Sequence, residues 1–152
     1  MISWLLLLTV ALLDQISKAY IRSHLLVGAS IPVIDNVFHI TYILNPGAAF
    51  GIMAYRKGFF ILVALVLVGV IGYFYPRIPR NCYLVKSGLG LMAGGAVGNV
   101  IDRIRTGYVV DFFDFRIWPV FNIADIAIVG GVACLLYYML QINQLNRAKK
   151  NG

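Results

Sequence analysis

Apolar residues fall in four long runs along the chain, and polar residues collect at the ends of these runs and between them. The runs cover about residues 2–21, 59–75, 82–101 and 121–142. Each is close to the roughly 20 residues that an α-helix needs to cross a bilayer core of about 30 Å. The pattern predicts a four-transmembrane-helix bundle. We expect residues 1–152 to form one domain, because no Gly/Ser/Pro-rich linker interrupts them.

The segment between the first and second runs has a different period. Apolar side chains there occupy every second position, at Phe38, Ile40, Tyr42 and Leu44. This period is typical of a strand with one apolar face. Turn signals bound it, notably Asn45-Pro46-Gly47. Because open sheet edges are not tolerated within hydrocarbon, residues of about 25–51 are predicted to form a small sheet outside the membrane.

The composition indicates an integral membrane protein and limits the classes of anionic partner that it could bind. Hydrophobic residues make up 61% of the chain and the mean hydropathy is +0.83, well above soluble domains at about 45–50% apolar. The formal net charge is +7, but the basic residues flank apolar spans and form no patch with interleaved aromatic residues. Membrane phospholipid is therefore favoured over nucleic acid as the anionic partner.

Topology predicts where the polar residues meet. Four spans place both termini on one side of the membrane. The end of the first span, the end of the third and the start of the fourth then share the other side. Basic residues number six on the side of the termini and seven on the opposite side, so their count leaves the orientation open. The residues gathered at one face are Asp14, Asn99, Asp102, Arg103, Asp111, Asn122 and Asp125.

The aspartates need an explanation, because ionisable groups at membrane depth cost about 2.5–3.5 kcal/mol each and are expected to have partners. One interpretation is structural pairing of Asp14, either with Lys18, which is four residues away on the same helix, or with Arg103. That interpretation leaves Asp111 and Asp125 unexplained, since neither has a basic residue at helical spacing. A second hypothesis is a small transporter or channel component with a proton or cation relay. Against it, the second span offers almost no polar group to continue a relay.

Aspartic hydrolysis is the third hypothesis. Two neighbouring carboxylates in a low-dielectric site do not ionise together readily, so one keeps its proton and the other acts as a base. This division of roles allows a pair to activate water, as in aspartic proteases. The sequence contains neither HExxH nor GxSxG, and His24 and His39 are interpreted as strand or interface residues.

Five motifs in order resemble lipoprotein signal peptidase, which is bacterial signal peptidase II. They span residues 14 to 125 of a four-span chain, and their occurrence together is far more specific than any one alone. The motifs are Asp14-Gln15 with Lys18, the block NPGAAFG at 45–51, the block GGAVGNVIDR at 94–103, Val110-Asp111-Phe112, and the block FNIAD at 121–125.

This resemblance implies a membrane aspartyl endopeptidase of the bacterial cytoplasmic membrane. Such an enzyme removes the signal peptide from prolipoproteins on the N-terminal side of a diacylglyceryl-modified cysteine. The resemblance also implies cytoplasmic termini, an active site at the extracytoplasmic face, and a substrate-cradling role for the sheet of residues 25–51. It implies no metal and no cofactor, and we expect a monomer.

Residue roles follow from the same motifs. The resemblance implies that Asp111 and Asp125 form the catalytic pair. The positions implied to bind substrate or order the site are Asp14, Asn45, Asn99, Arg103 and Asn122. Of the remaining acids, we expect Asp114 to lie in a solvated loop and Asp102 to serve structural pairing or helix termination.

Overall fold

The computed structural model describes residues 2–47 and 53–151. Its long helices are α1 (Ile2–His24), α2 (Lys57–Phe74), α3 (Tyr83–Thr106) and α4 (Ile123–Asn151), and a short 3-10 turn, Tyr75–Arg77, follows α2. All four helices contain a stretch long and apolar enough to cross a membrane, the last of these being Ile123–Gln144. The predicted spans are therefore confirmed, with α1 and α3 extending three to five residues further than predicted.

A three-stranded antiparallel sheet caps one end of the bundle. Its strands are β1 (Ser30–Ile34), β2 (Phe38–Asn45) and β3 (Val109–Asp114), in the order β1-β2-β3. The alternation that predicted a strand over 38–44 is confirmed by β2. The last residues of the predicted sheet segment, 48–51, lie outside the described residues.

The prediction that the sheet lies between the first two helices holds for β1 and β2 only. Strand β3 comes from the connection between α3 and α4. Strand β3 pairs with β2, with Ile43 opposite Asp111. Five of its six residues are buried, so both of its faces are covered. A strand covered on both faces lacks the polar and apolar alternation that reveals a half-exposed strand.

The sheet is anchored to the end of α1 by a small apolar core. Ile21 of α1 packs with Tyr42 of β2 and with Val110 and Phe112 of β3. Polar residues adjacent to these positions are thereby placed where the helix ends meet the sheet. The helix α2, in contrast, packs on α3 and buries none of its own residues.

Glycines bring α3 close to its neighbours on two faces. Gly94 lies against α1, where an added Cβ would be 2.8 Å from the Leu7 carbonyl oxygen. In the sequence, glycines recur every four residues at 90, 94 and 98, the small-xxx-small spacing that indicates such a close helix approach. A second face was not predicted: Gly95 lies against the Ala124 carbonyl of α4. This face was missed because its glycines, Gly88 and Gly95, are seven residues apart and do not show the four-residue spacing that marks the other face.

Substitution of Gly95 by alanine is expected to lower stability. The new Cβ would overlap the Ala124 carbonyl oxygen and lie 2.9 Å from Ile128 Cγ1, which forces α3 and α4 apart. Overpacking of this kind costs about 1–3 kcal/mol, and thermal unfolding in detergent micelles measures it. Gly130→Ala is the control, because a Cβ there meets nothing within 4 Å. Equal melting temperatures for the two variants would contradict the close packing at Gly95.

Candidate active site

Asp111 is held in the middle of β3 by two amide groups. Its side chain accepts a hydrogen bond from Asn45 Nδ2 at 2.8 Å and another from Asn122 Nδ2 at 2.6 Å. Asn45 is the last residue of β2, and Asn122 immediately precedes α4. Only 2% of Asp111 is exposed. Its carboxyl group is therefore fixed from two sides by the ends of neighbouring elements.

Asp125 lies in the first turn of α4 and forms a reciprocal cap with Asn122. The Asp125 backbone N–H donates to Asn122 Oδ1 at 3.0 Å, and the Asn122 backbone N–H donates to Asp125 Oδ2 at 3.2 Å. This is the capping-box arrangement with Asn and Asp in the two roles. The other carboxylate oxygen, Oδ1, accepts from Asn99 Nδ2 at 2.9 Å. Both oxygens are thus fixed, and the positive end of the α4 dipole faces the carboxylate.

Asn122 connects the two aspartates. Its amide oxygen accepts from the Asp125 backbone, while its amide nitrogen donates to Asp111. Asn122 is fully buried, so this one side chain sets the relative position of the two carboxyl groups. Asn99 also contacts Asn122: the Asn122 Nδ2 donates to Asn99 Oδ1 at 3.2 Å.

Burial changes the acidity of Asp111. Loss of water around the carboxyl group is the larger cause and the nearby charge of Asp125 is the second; together they raise the pKa of Asp111 to about 7. Hydrogen bonds from Asn45 and Asn122 oppose this rise without cancelling it. At neutral pH Asp111 therefore holds a proton for a large part of the time.

A cleft of about 340 Å³ opens onto both aspartates. Asn45, Asn99 and Arg103 also line it, so five of the seven predicted site residues share one cleft. The other walls are mostly apolar and come from α2, β3, α4 and the connection after β3. They include Phe60, Val109, Trp118, Pro119, Val120, Phe121 and Val129. An extended apolar segment fits such a cleft better than a polar small molecule does.

Arg103 is directed at the backbone and makes no ion pair with an aspartate within the described part of the chain. Its Nη2 donates to the Gly47 carbonyl oxygen at 2.9 Å, and its guanidinium lies 4.7 Å from the centre of the Phe60 ring. The contact with Gly47 secures the chain just after β2. The pairing of Asp14 with Arg103, one of two partners suggested by the sequence, does not occur.

Asp14 lies behind the cleft and does not line it. It pairs with Lys18 at 2.9 Å, as the four-residue spacing predicted, and its Oδ1 accepts from the Ala124 backbone N–H at 3.0 Å. Asp102 also pairs with Lys18, at 3.0 Å, and with Arg22 at 3.4 Å. The prediction of structural pairing for Asp102 is confirmed.

The expectation of a solvated loop for Asp114 is wrong. Asp114 is the last residue of β3 and is 5% exposed. It accepts hydrogen bonds from Thr41 Oγ1 and from Arg116 Nη1, each at 2.8 Å. The error has the same origin as the missed strand, since the paired position of Asp114 opposite His39 depends on β3.

Lys18 is the residue of the site region to which the sequence analysis gave no role at the site. It is fully buried and donates to Asn99 Oδ1 at 2.9 Å. Its place in the first motif was the available signal. Among residues 2–47 and 53–151, no group of three or more His, Cys, Asp or Glu side chains is arranged to hold a metal ion.

Comparison with known proteins assigns the family. The profile of the family described as signal peptidase (SPase) II matches residues 6–141. Lipoprotein signal peptidase of Halothermothrix orenii is 47% identical over 91% of this chain and 94% of the relative. The corresponding protein of Pelotomaculum thermopropionicum is 45% identical over 99% of both chains. That of Moorella thermoacetica is 49% identical over 90% of this chain and 91% of the relative.

Two solved structures, both described as bacterial membrane enzymes, share the fold. One, determined by the in meso method at 2.3 Å resolution, has a TM-score of 0.84 and 33% identity over 91% of this chain and 87% of that chain. The other, at 1.9 Å resolution, has a TM-score of 0.80 and 33% identity over 91% of this chain and 92% of that chain. With the family profile and the relatives, these likenesses show that the chain belongs to the signal peptidase II family, membrane-embedded aspartic-type proteases that act on prolipoproteins.

Proposed function

We propose that Asp111 and Asp125 are the catalytic pair and that they cleave the peptide bond on the N-terminal side of a diacylglyceryl-modified cysteine. The observation that carries this proposal is the convergence of the two carboxyl groups on one cleft, joined by the Asn122 amide. Asp111 is buried and Asp125 is partly exposed, and such unequal surroundings are what division into an acid and a base requires.

Their surroundings suggest how the roles divide. Both carboxylate oxygens of Asp125 accept hydrogen bonds, one from Asn99 and one from the Asn122 backbone at the N-terminus of α4. Asp111 has the pKa raised to about 7. In the proposed reaction, Asp125 takes a proton from a water molecule lying between the two carboxyl groups. Asp111, protonated, donates a hydrogen bond to the scissile carbonyl oxygen.

Hydrolysis then breaks the peptide carbon–nitrogen bond, and water supplies the oxygen that bonds to the carbon and the proton that bonds to the nitrogen. The water oxygen bonds to the carbonyl carbon, and a tetrahedral intermediate forms. When the carbon–nitrogen bond breaks, the proton held by Asp125 passes to the departing amine of the modified cysteine. The products are the free signal peptide carboxylate and the amino-terminal cysteine of the lipoprotein.

The remaining predicted site residues act as positioning groups in this proposal. Asn45 and Asn122 hold Asp111, Asn99 holds Asp125, and Arg103 secures the chain after β2 through the Gly47 carbonyl. Asp14 acts from behind the cleft by accepting from the Ala124 N–H.

The position of the cleft supports a substrate that stays in the membrane. A second, more open groove of about 500 Å³, lined by Trp118, Ile126 and Val129 among others, also reaches Asp125. Acyl chains or an apolar signal segment can remain in or beside the bilayer while the scissile bond enters the cleft. We place the cleft at the extracytoplasmic face of the bacterial cytoplasmic membrane, with both termini in the cytoplasm and phospholipid around the helices. Since one chain supplies both aspartates, we propose that a monomer is active.

Purified protein in proteoliposomes tests this function. A precursor peptide carrying a diacylglyceryl cysteine should be cut before that cysteine, and the same peptide without the lipid should be cut much more slowly. Mass spectrometry of both products gives the bond cleaved. Ion flux across the vesicles in the absence of cleavage would instead support the transporter hypothesis, and cleavage at another bond would overturn the proposed site of hydrolysis.

A further inference from the structure

Lys18 is a fully buried cation to which the reaction proposed above gives no task. Its Nζ atom lies 2.9 Å from Asp14 Oδ2, 3.0 Å from Asp102 Oδ2 and 2.9 Å from Asn99 Oδ1. An ammonium group has three N–H donors and no acceptor, so each donor has one partner. With Arg22, which lies 3.4 Å from Asp102 Oδ1, the group holds two positive and two negative charges. Lys18, Asp14, Asp102 and Arg22 are called the Lys18 cluster below.

The bond from Lys18 fixes the direction of the Asn99 amide. Because an ammonium group only donates, the Asn99 atom beside it is the acceptor Oδ1. The Asn122 amide nitrogen, a second donor, approaches the same oxygen at 3.2 Å. The Asn99 amide nitrogen consequently faces Asp125 Oδ1, at 2.9 Å. An amide turned the other way would place N–H groups against an ammonium and an oxygen against a carboxylate.

The two carboxylates of the Lys18 cluster hold the backbone beside each catalytic aspartate. Asp14 Oδ1 accepts from the N–H of Ala124, the residue before Asp125. Asp102 Oδ2 accepts from the N–H of Val110, the residue before Asp111, at 3.2 Å. Both carboxylates are fully buried and depend on a counter-charge to remain there.

We propose that Lys18 is a positioning residue for cleavage: it directs the Asn99 amide toward Asp125 and, through Asp14 and Asp102, holds the backbone that bears both catalytic aspartates. This inference rests on the catalytic roles proposed for Asp111 and Asp125. Within the described residues, Lys18 makes no ion pair with either of them. Its effect on the chemistry therefore passes through Asn99 and the two carboxylates.

The test uses variants that keep the Lys18 cluster neutral. Lys18→Met combined with Asp14→Asn removes one charge of each sign, and the introduced asparagine still offers an oxygen to the Ala124 N–H. Lys18→Gln combined with Asp14→Asn is the matched pair, because glutamine is close in size to methionine but keeps an N–H donor for Asn99 Oδ1. Thermal unfolding in micelles establishes that each is folded before kinetics are measured.

The methionine pair is expected to lower kcat about 10- to 100-fold, as misplaced catalytic groups do, with KM little changed. The glutamine pair should recover a large part of kcat. A folded methionine pair with wild-type kcat, or two pairs that are equally slow, would overturn the proposal.

A double-mutant cycle with Asn99→Ala separates positioning from general structural support. If Lys18 acts through Asn99, replacing Lys18 slows the Asn99→Ala enzyme much less than it slows the wild type. Equal slowing in both backgrounds would contradict that route. Should the methionine pair fail to fold, the glutamine pair alone tests the proposal: a kcat close to that of the wild type supports it, and a folded glutamine pair with a loss of about 10- to 100-fold overturns it. Failure of the catalytic pair itself is distinguishable, since it would appear as cleavage by Asp125→Asn, whereas failure of this proposal leaves Asp125→Asn inactive.

Discussion

Asp125→Asn and Asp111→Asn, made separately, are each expected to reduce kcat/KM for a diacylglyceryl precursor by about 10²–10⁴-fold, the range of a positioned acid or base. An asparagine at 125 keeps one acceptor oxygen, for either Asn99 or the Asn122 backbone, and it cannot take a proton from water. An asparagine at 111 cannot deliver the proton that the carboxylic acid shares with the carbonyl oxygen. Steady-state cleavage of the purified variants in micelles containing phospholipid measures both losses.

Asp114→Asn is the matched control for this experiment. Asp114 is a buried aspartate on the same strand as Asp111, but its partners are Thr41 and Arg116, and it does not line the cleft. Its replacement should leave kcat/KM close to that of the wild type. Wild-type cleavage by Asp111→Asn or Asp125→Asn would disprove the assignment of the pair. A large loss in Asp114→Asn would show that the assay responds to any change in β3.

The sequence predicted the large elements because their signals are local. A span is a run of apolar residues, and β2 shows its period of two directly in the order of its side chains. Strand β3 has no such signal, since Val109 and Val110 are followed by an acid and two phenylalanines and almost all of them are buried. Its existence depends on pairing with β2 across more than sixty residues of chain.

The site, like the fold, was predictable where the signal lies within one element, and not where contacts join different elements. Helical spacing gave the Asp14–Lys18 pair, which is present at 2.9 Å. Spacing within one helix does not give the rotation of a helix relative to its neighbours. The contacts of Lys18 with Asp102, and of Arg103 with Gly47, join different elements and could not be read from the sequence. Motif resemblance named the residues of the cleft, and the structure adds which amide faces which carboxylate.

These contacts describe a site arranged in two layers. The Lys18 cluster lies behind, neutral in sum and with its lysine and both of its carboxylates fully buried, and the amides of Asn99 and Asn122 lie between it and the two cleft aspartates. In the rear layer, opposite charges hold the side chains in place, and the proposed reaction does not require these groups to change their ionisation. In the front layer the two carboxyl groups line one cleft with no cation paired to either in the described chain, and burial together with the charge of Asp125 keeps Asp111 close to neutral. That arrangement is costly for folding.

Removal of the Asp111 carboxyl group should therefore stabilise the protein relative to the wild type as pH rises, even though it is expected to lower kcat/KM. Burial and the charge of Asp125 raise the pKa of Asp111 from 3.8 to about 7. Below pH 3.8 the group is protonated in both folded and unfolded chains and favours neither. Between pH 4 and 7 the unfolded chain loses the proton while the folded one keeps it, so stability falls as pH rises. Since a factor of ten in proton affinity is worth about 1.4 kcal/mol, the full penalty above pH 7 is on the order of 4 kcal/mol.

Asp111→Asn does not ionise and avoids this penalty, at the expense of one hydrogen bond from Asn45 or Asn122 that is independent of pH and worth about 1 kcal/mol. Its melting temperature relative to the wild type should rise steadily between pH 4.5 and 7.5, followed by circular dichroism in micelles. Asp114→Asn should show a constant difference. Burial raises the pKa of Asp114, but hydrogen bonds from Arg116 and Thr41 outweigh it and lower the pKa overall, so Asp114 is ionised in both states throughout this range. A constant difference for Asp111→Asn as well would mean that Asp111 is not held protonated by its surroundings, and the acid role would then have to pass to Asp125.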